Sequence, residues 1–280
     1  MSATASAPAS SGNLGPGFDC IGLALEVRCM VAAEEFDRWE IEQDGVTSHP
    51  GSADLVVRAV SAVAPGPMRL VIDNAIPRSR GLGSSSAVAA AAMTAALRVS
   101  GERPDVGHVF DRVTQLEGHS DNAAAAAFGG LVLTRPGAWR RLELWDGFTI
   151  VVAIPDSELS TRRARAVLPE SIDRAMVSRS LGRLGFLVEG LRTGDPEALA
   201  LAAGDELHEA PRAHLSPITG ELIECAKASG ARHAAWSGAG PSALVLTTPA
   251  EAPSVTAALE AVLDGAGKVE RVTPAGEGVL

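Results

Sequence analysis

The chain has 280 residues, 46% of them hydrophobic, and a formal charge of −10 from 24 Lys and Arg against 34 Asp and Glu. Such a chain is long and apolar enough for one large domain or two fused halves, and its acidic balance argues against nucleic acid or an anionic membrane as main partner. Cys20, Cys29 and Cys225 are odd in number and form no CxxC pair, the N-terminus has no charged and apolar leader pattern, and no apolar run approaches a membrane span, so a cytoplasmic protein with incidental thiols is expected.

In chain order, the first informative segment is APASSGNLGPGFD at 7–19. Its turn residues bracket Asn13 and Asp19, so the turn can aim an amide and a carboxylate into a cleft, although for the segment alone an Asx-type turn without a ligand is the favoured reading. Apolar patterns then predict strands over 21–33 and 38–43, a helix over 53–63 and a strand over 68–73.

The segment PRSRGLGSSSA at 77–87 follows, leading into an alanine-rich run that predicts a helix over 86–99. A Gly-rich turn feeding a helix start is an anion site, because unpaired N–H groups and the positive end of the helix dipole converge there, although capping serines and turn glycines that merely punctuate the chain explain the segment alone equally well. The chain has no GxxxxGK[ST] loop and only two lysines, Lys227 and Lys268, and Gly83 is followed by Ser84-Ser85-Ser86 rather than by a GxGxxG pattern. A nucleotide here must therefore be held by backbone amides, hydroxyls, arginine and metal.

A helix predicted over 106–117 runs into Glu117-Gly118-His119-Ser120-Asp121-Asn122, two carboxylates, an imidazole and an amide bounded by apolar sequence. One carboxylate is a hard oxygen ligand suited to Mg²⁺ shared with phosphates, and a second could orient or deprotonate a hydroxyl nucleophile. A helix end with an Asx turn is the plainer reading. Strands are predicted over 130–134, 148–154 and 243–248, with helices over 173–191, 196–209, 218–229 and 253–263. A boundary falls near 145–160, and a second Gly-rich loop, SGAGPS at 237–242, precedes the last strand. Because strands and helices do not alternate one for one, the fold class is α+β.

Together, in this order and spacing, APASSGNLGPGFD, PRSRGLGSSSA and SGAGPS resemble the three motifs of the GHMP small-molecule kinases. NLGPGFD, EGHSDN and STRRARAVLP (160–169) are similar to the homoserine kinase branch of that superfamily. The resemblance spans nearly the whole chain. It implies a ribosomal-protein-S5-like N-terminal half over 1–150 and a ferredoxin-like C-terminal half over 151–280, with ATP in a syn conformation between them.

By the same resemblance, Pro77, Arg78, Ser79, Arg80, Gly81, Leu82, Gly83, Ser84, Ser85, Ser86 and Ala87 would hold ATP, and Ser85 and Glu117 would be the Mg²⁺ ligands. The substrate, L-homoserine, would be bound by Asn13, Asp19, His119, Asp121, Asn122, Arg165 and Arg212. Of these, Asp19 would meet the ammonium group, and Arg165 and Arg212 the carboxylate, which arginine binds bidentately. Asp121 and Asn122 would align the hydroxyl, with Thr161 near the transferred phosphoryl group. The position that usually helps hold adenine in an NLVV-like segment reads Asp54 here. The implied activity is phosphorylation of L-homoserine, a step of threonine biosynthesis, by an enzyme that the family makes a possible homodimer. A GHMP kinase for another small alcohol, and a catalytically silent ligand-binding regulator, are the competing readings.

Overall fold

The computed structural model describes residues 1–280. The first half is a seven-stranded sheet. Strands β1 (Ser2–Asn13) and β2 (Gly17–Glu35) form a long antiparallel ribbon whose register shifts at Pro8/Ala9 and at Gly12/Asn13. Strands β3 (Glu40–Gln43) and β4 (Val46–Ser48) make a hairpin. After helix α1 (Leu55–Ser61), strand β5 (Met68–Asn74) pairs antiparallel with the C-terminal part of β2 and parallel with β3. Helices α2 (Ser84–Val99), α3 (Val106–Glu117) and α4 (Asp121–Phe128) follow. Strands β6 (Leu131–Arg135) and β7 (Ala138–Leu142) then close the path β4-β3-β5-β2-β6-β7, with β6 pairing Ile21–Leu23 of β2.

Helix α2 is buried almost throughout, and its alanines let it lie directly on β1 and β2. Helix α4 packs on the same ribbon, so closely that a Cβ on Gly22 would collide with the Asp121 carbonyl. These close approaches bring the end of β1 and the starts of α2 and α4 to one place.

The second half contains β8 (Thr149–Pro155), α5 (Thr161–Ala166), α6 (Arg174–Thr193), α7 (Pro196–Ala202), α8 (Glu209–Arg212), α9 (Pro217–Ala228), β9 (His233–Trp236), β10 (Ala243–Thr247), α10 (Ala252–Leu263) and β11 (Gly267–Val272). Its sheet is antiparallel in the order β11-β8-β10-β9, the ferredoxin-like arrangement. Val151 and Ala153 of β8 face a core shared with Leu222 of α9 and Leu259 of α10, while Ile150, Val152 and Ile154 face the main core. Burial on both faces is why this strand reads as an unbroken apolar run. The last residues return to the first half, where Ser6 and Leu280 exchange backbone hydrogen bonds of 3.0 and 2.8 Å.

Two sequence expectations change. The helix predicted over 196–209 is broken: α7 stops at Ala202, Gly204 takes φ +80, and the Asp205 carboxylate accepts the N–H groups of His208 (2.5 Å) and Glu209 (3.0 Å) to start α8. The EGHSDN segment is not a mere helix end, since Gly118 (φ +79) terminates α3 and Asp121 opens α4. No helix is long and apolar enough to cross a membrane.

Candidate active site

A cavity of about 400 Å³ lies over the start of α2, between the two sheets' loops. Residues 77–79 and 81–85 line it. Gly83 takes φ +65 immediately before α2, whose N-terminus has no capping side chain and no acidic residue in its first turn. A 16-residue helix thus opens its unpaired N–H groups and positive dipole end onto a cavity. The loop is held from both sides: Ser10 N–H donates to the Leu82 carbonyl (3.1 Å), and the Ser237 hydroxyl donates to the Gly81 carbonyl (2.8 Å). Three residues of the expected nucleotide segment lie elsewhere. Arg80 turns away to the Pro155 and Asp156 carbonyls (2.8 and 2.6 Å), while Ser86 and Ala87 are buried on the inner side of α2.

The Ser85 hydroxyl donates to Glu117 Oε2 at 2.9 Å, joining the first turn of α2 to the last turn of α3. His119 Nε2 lies 3.6 Å from the same Glu117 oxygen, and its Nδ1 lies 2.9 Å from Asp121 Oδ1. The imidazole therefore sits between two carboxylates. Burial pulls its pKa down, but the hydrogen bond and charge of Asp121, with Glu117 adding, outweigh burial and the repulsion of Arg165, so His119 ends above the ordinary histidine value. Asp121 is shifted down: burial raises it, and the His119 contact, the Asn122 N–H and the Arg165 charge prevail. Both shifts favour the charged form of each group. Asn122 accepts from the Ser10 hydroxyl at 2.9 Å, so α4 is pinned to β1 beside the loop.

Across the cavity, the turn between β1 and β2 holds three successive left-handed residues, Asn13 (φ 69), Leu14 (φ 52) and Gly15 (φ 87). Asn13 donates to the Gly238 carbonyl (2.9 Å) and accepts the Asp19 N–H (3.0 Å). His233 donates to the Leu14 carbonyl (3.0 Å), and burial takes its pKa down to about 4, which keeps the ring neutral. Arg165 clasps Asp19 with two hydrogen bonds of 3.1 and 2.6 Å. Arg212 is 1% exposed and still lines the cavity; burial and the nearby Arg165 lower its pKa to about 10, so it stays cationic at neutral pH. Both guanidinium groups lie over the Phe18 ring, 5.6 Å from its centroid. Thr161 is exposed at the first turn of α5, on the cavity wall, while Arg162 and Arg163 point to solvent.

Next to Arg212, the Glu209 carboxylate accepts the Trp236 N–H (2.9 Å), and burial raises its pKa to about 7 despite that bond. The native state then holds a proton between about 4.5 and 7 that the unfolded chain has lost, so this group's contribution to stability falls as pH rises through that window. Glu209→Gln abolishes that slope. The Tm of the variant relative to the native chain is expected to rise between pH 5 and pH 8; a pH-independent difference in a melting series counts against the buried-acid assignment.

The model for the GHMP kinases N terminal domain matches residues 54–130, and that for the GHMP kinases C terminal region matches 187–265. The homoserine kinase of Synechocystis is 34% identical over 284 residues, covering 95% of this chain and 93% of its own. That of Moorella thermoacetica is 36% identical over 268 residues, covering 90% of each. The chain belongs to the homoserine kinase family of the GHMP kinases. Among solved structures, a homoserine kinase from Cytophaga hutchinsonii superposes with a TM-score of 0.88 at 24% identity, over 100% of this chain and 96% of that one. A putative homoserine kinase from Listeria monocytogenes superposes with a TM-score of 0.80 at 26% identity, over 100% and 98%.

Within this GHMP kinase fold, Asn13, Asp19, Glu117, His119, Asp121, Asn122, Thr161, Arg165 and Arg212 all border the one cavity, although they are scattered from residue 13 to residue 212. Asp54 does not reach in as the family pattern would have it: its carboxylate caps α1 through the Val56 and Val57 N–H groups (2.8 and 3.3 Å). The apolar end of the cavity is formed instead by Leu55, Val56 and Val88, with Gln43 at its rim. These carry no sequence signal beyond ordinary core and strand patterns. The donor set also fits a metal shared with phosphates. Ser85 and Glu117 offer two adjacent hard oxygens, and no cluster of three or more ligating side chains exists that would hold a metal by itself.

Proposed function

We infer that this chain is an ATP-dependent homoserine kinase that transfers the γ-phosphoryl group of ATP to the side-chain hydroxyl of L-homoserine, a step of threonine biosynthesis. The observation that carries the reading is the single cavity itself. An uncapped helix N-terminus and a serine–glutamate pair stand at one end, and two arginines with a carboxylate stand at the other.

In this reading the nucleotide phosphates lie over the start of α2, with the Gly81–Gly83 backbone close against them. Ser85 and Glu117 would hold Mg²⁺, which would neutralise charge on the transferring phosphoryl group. Arg165 and Arg212 bind the substrate carboxylate and Asp19 its ammonium group. The zwitterion thereby divides the Asp19–Arg165 ion pair and gives each half a new partner. Asp121 and Asn122 align the hydroxyl beside Thr161. A carboxylate held low by His119 is a weak base, so Asp121 fixes the hydroxyl by accepting its hydrogen bond, and the proton leaves late. Catalysis is then mostly positioning and charge neutralisation. Asp19 also separates this acceptor from mevalonate, which has a carboxylate but no ammonium group. A structural neighbour that is a mevalonate kinase is 11% identical and shares the fold.

The test is ADP release with Mg-ATP and L-homoserine, beside mevalonate, L-serine and no acceptor. Turnover on L-homoserine far above the other three is expected. Turnover on mevalonate alone would retain the nucleotide end and overturn the zwitterion pocket.

A further inference from the structure

Arg212 is held by a residue that none of the three motifs contains. Asp205 caps the start of α8 and sets His208 and Arg212 one helical turn apart on the same side. The His208 ring is fully buried, with Nδ1 2.9 Å from Arg212 Nη1 and Nε2 2.8 Å from the Gly15 carbonyl. It stacks on Phe18 with centroids 5.2 Å apart and planes 21° from parallel. A guanidinium only donates, so Nδ1 must be the bare acceptor, and Nε2 carries the proton given to Gly15. Burial favours this neutral ring, Arg212 reinforces it, and Asp205 and Asp19 oppose it. Arg212 Nε donates to the Ala164 carbonyl (3.0 Å) and Nη1 also reaches the Gly238 carbonyl (3.4 Å), whereas Nη2 has no protein partner. Gly15 belongs to the turn that carries Asn13 and leads to Asp19. His208 thus ties the two walls of the acceptor end together.

We propose that His208 is a positioning residue for acceptor specificity: bridging the Gly15 carbonyl and Arg212 Nη1, it fixes the guanidinium so that its free edge meets the substrate carboxylate. This rests on the reading of Arg212 as a carboxylate ligand. No other buried histidine makes such a link. His233 contacts the same turn at Leu14 but hydrogen-bonds no cation.

The experiment is steady-state kinetics, for both substrates, of His208→Leu, His208→Asn, Arg212→Ala and the double variant His208→Leu/Arg212→Ala. His208→Leu is expected to raise KM for L-homoserine about 10- to 100-fold, the weight of one hydrogen bond to a charged group, with KM for ATP changed by about twofold or less. The substitution His208→Asn puts an amide oxygen where Nδ1 stood, so it should recover most of the loss. In the Arg212→Ala background, His208→Leu should add about twofold or less, because its route of action is gone. Additive effects, a parallel rise in KM for ATP, or equal damage from Leu and Asn would overturn the proposal and leave Arg212 standing. An unchanged KM for L-homoserine in Arg212→Ala would overturn the carboxylate reading itself. Should His208→Leu fail to fold, His208→Gln makes the same comparison. Its amide reaches Gly15 but takes the side-chain acceptor away from Arg212 Nη1, so KM should rise more with Gln than with Asn; the reverse order overturns the proposal.

Discussion

Glu117→Gln is expected to lower kcat by about 10²- to 10³-fold, the scale for removing one preorganised electrostatic group, with a much smaller change in KM for L-homoserine. The substitution is nearly isosteric and leaves an oxygen to accept from the Ser85 hydroxyl, which now lies 2.9 Å from Glu117 Oε2. What disappears is the charge. Two consequences follow, because Glu117 faces both the start of α2 and His119 Nε2 at 3.6 Å. A metal shared with phosphates would be bound more weakly, so the Mg²⁺ concentration for half-maximal rate should rise. The His119 ring would also lose one of its two carboxylates and keep only Asp121. Measuring kcat over a wide Mg²⁺ range separates these effects: partial recovery at high Mg²⁺ identifies the metal role, and a flat, low rate identifies the contact with His119. A kcat within about twofold of the native value would remove Glu117 from the catalytic machinery.

The parts of this molecule that could be read from sequence are those in which local chemistry and tertiary structure agree. The loop at 77–87 is one. Its glycines occupy left-handed positions at 81 and 83, and the helix starts at Ser84, two residues before the predicted start. The α3 helix keeps its predicted bounds, because Asp105 caps its start and Gly118 ends it. The long apolar strand β8 was equally legible, and its burial between two cores explains why no alternation marks it.

Strand β1 was not legible. Its Ala, Ser and Pro residues have little strand propensity; pairing along β2 and the cover of α2 make it a strand. The short α4 and α5 were hidden for the opposite reason. Asp121-Asn122 and Ser160-Thr161 read as polar loop chemistry, yet each begins a helix and uses its polar residues to line the cavity at that helix start. Strands β9 and β11 are four and six residues long and depend on neighbours in a sheet that no local pattern reveals.

At the site, the residue types were legible and their present partners were not. Asp19 carries the expected carboxylate but holds Arg165 with both oxygens. Asn13 spends its amide on Gly238 and the Asp19 N–H while still lining the cavity. His208 was invisible as a functional residue, since a lone histidine in a predicted helix is most often a satisfied core group. Its partners, Gly15 and Arg212, lie 193 and 4 residues away.

Gly81→Ala tests whether the Gly-rich loops at 77–87 and 237–242 act as one structure. Gly81 has φ +74, and a Cβ there would collide with the Ser237 carbonyl and stand 2.8 Å from the Gly240 N, both backbone atoms that cannot rotate aside. Gly101 has nearly the same φ, +75, with nothing within 4 Å of its would-be Cβ. The two substitutions therefore share the cost of left-handed backbone, about 1 kcal/mol, and differ only in the collision. Gly101→Ala should lower stability by about that amount and leave kinetics intact. Gly81→Ala should lose about 3 kcal/mol or more, because relief requires the 237–242 loop to move away. That movement would stretch the Ser237 hydroxyl bond to the Gly81 carbonyl and the Gly238 N–H bond to the Gly12 carbonyl (2.8 and 3.0 Å). Through Gly238 it would also release Asn13 from the acceptor end. Nucleotide and acceptor affinities should therefore fall together in any Gly81→Ala protein that folds, a joint loss that no single ligand contact would produce. Equal melting shifts for the two variants would mean that the loops yield independently and that the cavity is not built on their contact.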